Sequence, residues 1–291
     1  MNSKLIAIVG ETATGKSKLA METAKQFNGE IINADSWQIY KHMDIGTAKP
    51  SKEDRAQMPH HLIDIANPDE DFNAAIYKNK AQLAIKDILN RGKLPIIVGG
   101  TGLYVDSVLF DYSFAPKGDL AARQELNNKT IDQLIDIATN KNISLLGIDT
   151  RNKRRLVRLI ESNGFIPQKK SIRSNTLIIG TKTESRSKLR TNIEYRVETM
   201  FRHGLRREVD ELAQHYNWDV EAMKGIGYRE FKDYYEDNQS ISETKRKIVK
   251  STLDLAKRQR TWFKKNMDIK WVQSIDEGLE LANDFINHKT T

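Results

Sequence analysis

The chain of 291 residues contains no cysteine. That absence excludes disulfides, thiol nucleophiles and cysteine-ligated zinc, and it fits a reducing compartment. Long apolar runs are missing too: stretches such as Leu94-Pro95-Ile96-Ile97-Val98 are far too short to span a bilayer. A cleavable leader is not in view, because Met1-Asn2-Ser3-Lys4 runs directly into the first apolar segment. There is no internal repeat and no low-complexity linker. The expectation is a cytoplasmic globular protein, and at 38% hydrophobic content the chain can bury a sizeable core in one large domain or two modest ones.

What is present begins with Gly10-Glu11-Thr12-Ala13-Thr14-Gly15-Lys16-Ser17, a match to G-x-x-x-x-G-K-[ST] directly after Leu5-Ile6-Ala7-Ile8-Val9. In such a loop the glycines let successive backbone N–H groups converge on an anion. The lysine adds a mobile positive charge, and the serine hydroxyl can hold Mg²⁺. Gly10, Thr12, Ala13, Thr14, Gly15, Lys16 and Ser17 are therefore candidate diphosphate-binding residues, with Ser17 the candidate metal ligand. The plainer alternative is a glycine-containing turn with Lys16 solvated on the first helical turn. Kinases, GTPases, motors and some transferases share this loop, so it does not say which phosphate compound is held.

The formal charge is +8, and its placement says more than its size. Nine basic residues lie between Lys245 and Lys265 against Asp254 alone, a net charge equal to that of the whole chain. A second basic stretch runs from Arg151 to Arg173 and includes Arg154, Arg155 and Arg158 against Glu161. Two such segments in an otherwise near-neutral chain point to a polyanionic partner, nucleic acid first; the bland reading of each is a solvated helix face.

Apolar runs alternate with helical patterns over the first 110 residues, the pattern of a βαβ-built parallel sheet. Candidate strands are Lys4–Val9, Glu30–Ala34, Leu62–Ile65 and Leu94–Val98, with a helix over Asn73–Arg91. From 114 to 175 the strand signal gives way to short helical segments rich in Lys, Arg, Asn and Gln, read as an inserted helical subdomain between core segments 1–113 and 176–291. A strand returns at Thr176–Gly180, followed by helices at Arg186–Arg202, Leu205–His215, from Tyr228, and from Ser242 to Phe263. A late strand at Ile269–Val272 and a terminal helix complete the pattern.

Ligands of open parallel sheets collect at the C-terminal ends of the strands. Asp35 follows Ile31-Ile32-Asn33-Ala34 there, as a metal ligand, a proton acceptor or merely a turn cap. Gly99-Gly100-Thr101-Gly102 follows the fourth strand, where glycines permit close approach and the Thr101 hydroxyl can donate to a phosphate oxygen. A nucleotide kinase or ATPase would often end such a strand in Asp to hold Mg²⁺. Here it ends in glycine, and the GTPase base-recognition tetrapeptide is missing because Asn140-Lys141-Asn142-Ile143 lacks the aspartate.

The phosphate loop resembles, together with several further strings, the bacterial tRNA dimethylallyltransferase family. Those strings are Asp35-Ser36-x-Gln38-x-Tyr40, Asp44-Ile45-Gly46-Thr47-Ala48-Lys49-Pro50, Pro59-His60-His61-Leu62-Ile63-Asp64, Gly99–Tyr104, Gly225-Ile226-Gly227-Tyr228 and Ala256-Lys257-Arg258-Gln259-x-Thr261-Trp262-Phe263. The match runs almost end to end. It implies an α/β fold with a P-loop NTPase-like parallel sheet, helices on both faces, the inserted helical subdomain and a helix-rich C-terminal part. It implies transfer of a dimethylallyl group from its diphosphate to N6 of the adenosine just 3′ of the anticodon, in tRNAs that read codons beginning with U. By the same resemblance Asp35 is the general base and Thr101 contacts the bridging oxygen, while Lys16, Ser17 and Arg196 neutralise the leaving diphosphate with Mg²⁺. Asp35, Ser36, Trp37, Gln38 and Thr101 meet the extruded adenosine. Arg123, Arg154, Arg155, Leu156, Val157 and Arg158 correspond to positions that touch tRNA, and Lys257 and Arg258 are further expected contacts. The partners implied are tRNA and dimethylallyl diphosphate, with no membrane, and a monomer is expected.

For Arg196 the alternative is an ordinary surface ion pair with Glu194 or Glu198, and Trp262 and Phe263 are expected to pack a core before they stack on bases. Glu11 and Thr14 stand where the family usually has proline and serine, and Thr252-Leu253-Asp254-Leu255 loses a positive charge and gains a negative one. These departures remove no required group and bear on the tRNA footprint. The rival readings are a small-molecule kinase, a prenyltransferase acting on free adenine nucleotides, and a nucleotide-regulated RNA-binding protein.

Overall fold

The computed structural model of the chain describes residues 4–115 and 118–287, so the N-terminal segment Met1–Ser3 lies outside the described residues. Strand β1 (Leu5–Gly10) leads through the phosphate loop into α1 (Lys16–Gln26), followed by β2 (Gly29–Asn33), α2 (Lys52–Gln57) and β3 (His60–His61). Next come α3 (Ala74–Asn90), β4 (Leu94–Gly99) and α4 (Gly102–Leu109). Helices α5 (Leu120–Asn127), α6 (Ile131–Asn140) and α7 (Lys153–Glu161) precede β5 (Thr176–Thr181). The chain ends with α8 (Arg186–Arg202), α9 (Leu205–His215), α10 (Lys232–Tyr235), α11 (Ile241–Phe263), β6 (Ile269–Val272) and α12 (Ile275–Asn287). No helix among the described residues is long and apolar enough to cross a membrane.

The six described strands form one parallel sheet in the order β3-β2-β4-β1-β5-β6. Every residue of β1, β2 and β4 is buried, as befits parallel strands covered on both faces. On one face Ile6, Ile8, Ile31, Ile96 and Ile179 pack with Leu19, Ala20 and Ala24 of α1 and Ala282 of α12. The intervening Leu5, Ala7 and Val9 are equally buried. Because β4 lies between β1 and β2, the loops after these three strands emerge side by side at one edge.

One expected strand is corrected. Leu62–Ile65 is not extended; the pairing with β2 is made by His60–His61 alone. Leu62 and Asp64 sit at φ +62° and +56°, a left-handed conformation that cannot continue a pleat. Asn33 fixes this bend by donating its Nδ2–H to Leu62 O at 3.0 Å.

The chain divides into two compact units, Met1–Leu109 with Ile172–Thr291, and Phe110–Ser171. The sequence pattern places these joins four residues later, at 113/114 and 175/176. The second unit has its own core, in which Leu156, Val157, Leu159 and Ile160 of α7 pack against Leu134 and Ala138 of α6 and Ile143.

In the sheet unit, Glu30 on β2 binds the structure around the β3 edge. Its side chain is 2% exposed and accepts Arg91 Nη2–H at 2.7 Å and Lys93 Nζ–H at 2.7 Å, with His61 Nε2 at 2.7 Å. The Arg91 hydrogen bonds, followed by burial acting in opposition and then Lys93 and His61, hold its carboxyl well below the usual carboxylate range. A depressed folded-state value means that the ionised form stabilises the fold above the unfolded value of 4.5 and that this contribution drains away as pH falls below it. Glu30→Gln is expected to cost about 2 kcal/mol, the ordinary worth of a hydrogen-bonded charge. In urea unfolding at several pH values, the gap between wild type and variant should shrink steadily below pH 4.5.

Candidate active site

The loop after β1 curls through Gly10 at φ +135° and Gly15 at φ +91°, and a Cβ at Gly10 would meet Thr181 O at 2.4 Å. Only glycine fits that first turn. The loop is then tied down from several sides. Thr14 Oγ1 donates to Glu11 O at 2.8 Å and lies 2.5 Å from Thr181 Oγ1 at the end of β5. Asn192 of α8 donates to Ala13 O at 3.1 Å. From α11, Gln259 Oε1 accepts the Thr12 N–H at 2.8 Å and Arg260 Nη2 donates to Glu11 Oε2 at 2.8 Å. The two residues that depart from the resembled pattern, Glu11 and Thr14, are thus both bonded into the frame.

A pocket of about 90 Å³ opens above this loop, lined among others by Thr12, Lys16, Ser17, Asp35, Gln38 and Arg196. Lys16 Nζ donates to Glu11 O. Burial first and Arg196 second pull the Lys16 ammonium down from its ordinary 10.5 to about 8, against the pull of Asp35 and Glu11. Burial lowers Arg196 as well, again with Asp35 opposing. Two cations withdrawn from water beside each other form a site that an anion would relieve. Arg196 is not the surface pair that its neighbours on α8 allow: Glu194 pairs with Arg190 at 3.4 Å and Glu198 with Lys245 at 2.9 Å. Its guanidinium instead turns inward, Nη1 donating to Thr12 Oγ1 at 3.1 Å and Nη2 to Thr47 O at 3.5 Å.

Asp35 serves both as a turn cap and as a wall of the pocket. Its Oδ1 accepts the Trp37 N–H at 2.9 Å, and its own N–H donates to Asn33 Oδ1 at 3.1 Å. The second carboxylate oxygen accepts no hydrogen bond from the described residues. Thr101 bridges the loops after β4 and β2: its Oγ1 accepts the Ser36 N–H at 3.0 Å and its N–H donates to Ala34 O at 3.1 Å. Gln38 donates to Thr47 O at 3.1 Å and Ala48 O at 3.2 Å, while Trp37 is half-buried against Gly225 and Tyr40. The structure therefore gathers the phosphate loop, Asp35–Gln38, Thr101 and Arg196 at one sheet edge.

The remaining site candidates lie elsewhere. Leu156 and Val157 are 0% and 5% exposed, so their side chains are used in the core of the Phe110–Ser171 unit. Arg123 and Arg158 both pair with Glu161 Oε2, at 2.7 and 3.0 Å. Arg154 and Arg155 are exposed with no ion pair among the described residues. On α11, Lys245, Arg246, Lys247 and Arg260 have carboxylate partners, whereas Lys257 and Arg258 are exposed without one among the described residues. Lys250, Lys257 and Lys264 recur every seven residues, which sets two exposed cations along one side of the helix and a third at its C-cap. Phe263 is core at 2% exposure, while Trp262 is 39% exposed and donates Nε1–H to Asp106 at 3.1 Å.

Residues 38–266 match the family model described as IPP transferase, and residues 3–64 a second described as Isopentenyl transferase. The chain belongs to the IPP transferase family. The Pediococcus pentosaceus protein named tRNA dimethylallyltransferase is 42% identical over 297 residues, covering 96% of this chain and 94% of the relative. The Anoxybacillus flavithermus protein of the same name is 39% identical, covering 95% and 92%. Among solved structures, the tRNA delta(2)-isopentenylpyrophosphate transferase of Staphylococcus epidermidis superposes with a TM-score of 0.73 at 36% identity, covering 97% of this chain and 98% of that one.

Residues that sequence reasoning on this IPP transferase passed over are those that hold the site's loops. Glu208 of α9 accepts the N–H groups of Asp44, Ile45 and Gly46 at 2.8, 2.7 and 2.9 Å, and the Tyr228 hydroxyl at 2.7 Å. Gly46 must be glycine because a Cβ would lie 2.5 Å from the Tyr228 ring. The Asp44–Pro50 and Gly225–Tyr228 strings are thereby explained as two halves of one fastening, centred on a glutamate whose place on a charged helix gave no signal. Glu208→Ala leaves three amides and a buried phenol without their acceptor. It should cost about 3 kcal/mol, read as a lowered melting temperature, and should disorder the Thr47 carbonyl that Gln38 and Arg196 share.

Proposed function

We propose that this chain transfers a dimethylallyl group from dimethylallyl diphosphate to N6 of the adenosine just 3′ of the anticodon in tRNA, working in the cytoplasm beside its RNA substrate. The observation that carries this reading is the joining of two half-buried cations over a phosphate loop, Lys16 and Arg196, with a carboxylate, Asp35, in the same small pocket. The names borne by its relatives accord with it.

In the reaction the allylic C–O bond breaks, a C–N bond forms to N6, the diphosphate leaves and one N6 proton must be taken up. The adenine amino lone pair is delocalised into the ring and is a poor nucleophile, so a carboxylate that accepts its proton during bond formation raises the rate. Asp35 fills that role through the oxygen not committed to Trp37. Charge develops on the diphosphate as the C–O bond breaks, and Lys16, Arg196 and the loop's N–H groups stabilise it more than they stabilise bound substrate. Thr12 acts within this frame more than on the anion, because its N–H is held by Gln259 and its hydroxyl accepts from Arg196. Thr101 fixes the spacing between the two loops, its hydroxyl accepting the Ser36 N–H and donating to Ser36 Oγ at 3.3 Å, and contact with the bridging oxygen would require that hydroxyl to turn from Ser36.

Magnesium takes oxygen ligands, keeps several waters and is bound through few protein groups plus substrate phosphates. The exposed Ser17 hydroxyl, opening on the same pocket as Lys16 and Asp35, is an oxygen donor of that kind. Ser17 would hold Mg²⁺, which when bound adds positive charge beside the leaving diphosphate.

A stacked adenine cannot reach the pocket, so the base must leave the anticodon loop. Exposed cations without a carboxylate partner among the described residues include Lys257 and Arg258 on α11 and Arg154 and Arg155 on α7, which are free for phosphate contact. A prenyltransferase acting on free nucleotide would have little use for them. The deciding assay combines the protein, unmodified tRNA, Mg²⁺ and labelled dimethylallyl diphosphate without ATP. Label is expected in the RNA; label in free AMP, or phosphate moved from ATP, would select a rival instead. Asp35→Asn should lower kcat about 100-fold and leave tRNA affinity nearly unchanged, whereas equal loss of both would make Asp35 structural. Replacing Lys257 and Arg258 with alanine should weaken tRNA binding and flatten the plot of log affinity against log salt by about 1.5, the slope lost with two phosphate contacts.

A further inference from the structure

Helix α11 presents exposed cations to solvent and, on the next residues, reaches the phosphate loop. Gln259 is 8% exposed. Its Oε1 accepts the Thr12 N–H at 2.8 Å and its Nε2 donates to Gly100 O at 3.1 Å, so one carboxamide joins the loop after β1 to the loop after β4 with both its ends used. Arg260 grips Glu11, the residue before Thr12. The Glu11 carbonyl is in turn the acceptor for Lys16 Nζ. Two successive residues of the loop, and through them the resting place of the lysine, are therefore set by two successive residues of α11.

Packing alone does not ask for this arrangement. An apolar side chain would fill the space, but it would leave the Thr12 amide to turn toward the anion or to water. Gly100 is shaped to admit the carboxamide, since a Cβ there would lie 2.1 Å from Gln259 Nε2. Lys257 and Arg258 stand immediately before Gln259 on a hydrogen-bonded helix, so a shift of their backbone under RNA phosphates is a shift of Gln259.

We propose that Gln259 is a positioning residue that couples RNA docking on α11 to the anion-binding shape of the phosphate loop. The inference rests on the reading above, in which α11 meets RNA and the loop holds diphosphate. Coupling of this kind is reciprocal: RNA tightens pyrophosphate binding by the factor by which pyrophosphate tightens RNA binding.

The test is calorimetric titration of the full chain with pyrophosphate and Mg²⁺, with and without an unmodified anticodon stem-loop RNA. Wild type should bind pyrophosphate at least about fivefold more tightly with RNA present. Gln259→Met keeps the side chain's length and removes both hydrogen bonds. Gly100→Ala displaces the same carboxamide from the other side. Both variants should bring the ratio to about one while binding RNA alone as wild type does, and both should raise KM for dimethylallyl diphosphate more than they lower kcat. A folded variant that keeps the wild-type ratio, or a wild-type ratio of one, overturns the coupling. Wild type that binds RNA but no pyrophosphate overturns the diphosphate reading itself, and the coupling with it.

Discussion

Two cations withdrawn from water into one pocket are the constraint on which the rest of the sheet unit depends. Lost hydration holds both Lys16 and Arg196 below their ordinary proton affinities, and the neighbouring guanidinium lowers Lys16 further. Such an arrangement springs apart unless acceptors hold each group. The Glu11 carbonyl takes the lysine, and the Thr12 hydroxyl and Thr47 carbonyl take the arginine. Each acceptor is itself tied: Glu11 by Arg260, Thr12 by Gln259, and the 44–48 turn by Gln38 and Glu208. The polar structure around the phosphate loop is best understood as the set of bonds that keeps two positive charges close before an anion arrives, a preorganised field of the kind that stabilises charge developing on a leaving group.

The chain's positive charge divides into a structural part and a free part. On α11 four cations are committed to carboxylates, and among the described residues Lys250, Lys257 and Arg258 are exposed without such a partner. In the inserted unit Arg123 and Arg158 neutralise a glutamate that is only 3% exposed, and Arg154 and Arg155 remain open to solvent. A count of charges along the sequence overstates the surface available to a polyanion by about as much as the fold consumes internally. What survives on α11 is narrower and better ordered than the run of lysines and arginines suggests.

Much of the site was legible because it depends on local rules. A strand followed by G-x-x-x-x-G-K-S, and a second strand ending at Asp35, put both groups at one edge once the sheet is parallel, and the helical periods of α3, α8 and α9 lie close to their observed bounds. What escaped depends on long-range closure. The β3 pairing was displaced because Leu62 and Asp64 adopt left-handed backbone, which aspartate tolerates but leucine does not advertise. Leu156 and Val157, carried over from the family pattern as RNA contacts, are apolar residues on the buried side of α7, and their burial follows from a core that only the packed unit reveals. Gln259 lay within a quoted string, yet its partners are 159 and 247 residues away.

The same geometry accounts for the acidic group that the chain does not have. A phosphoryl-transfer enzyme would place a carboxylate at the end of the strand beside the phosphate loop, to hold the metal between the phosphates. Here that strand is β4, and no side chain fits at its end. A Cβ at Gly99 would lie 2.2 Å from Ala34 O, and one at Gly100 would meet the Gln259 carboxamide. The space is closed on one side by the loop that carries Asp35 and on the other by the helix that carries the free cations. The carboxylate is moved instead to the end of β2, one strand further from the phosphate loop. There it lines the same pocket as Lys16 and Arg196, which accords with the proposed role of taking a proton from the nucleophile. Excluding an acid at β4 and supplying one at β2 are thus consequences of the same close packing, and together they turn a phosphate cradle from phosphoryl transfer toward transfer of the group that the diphosphate leaves behind.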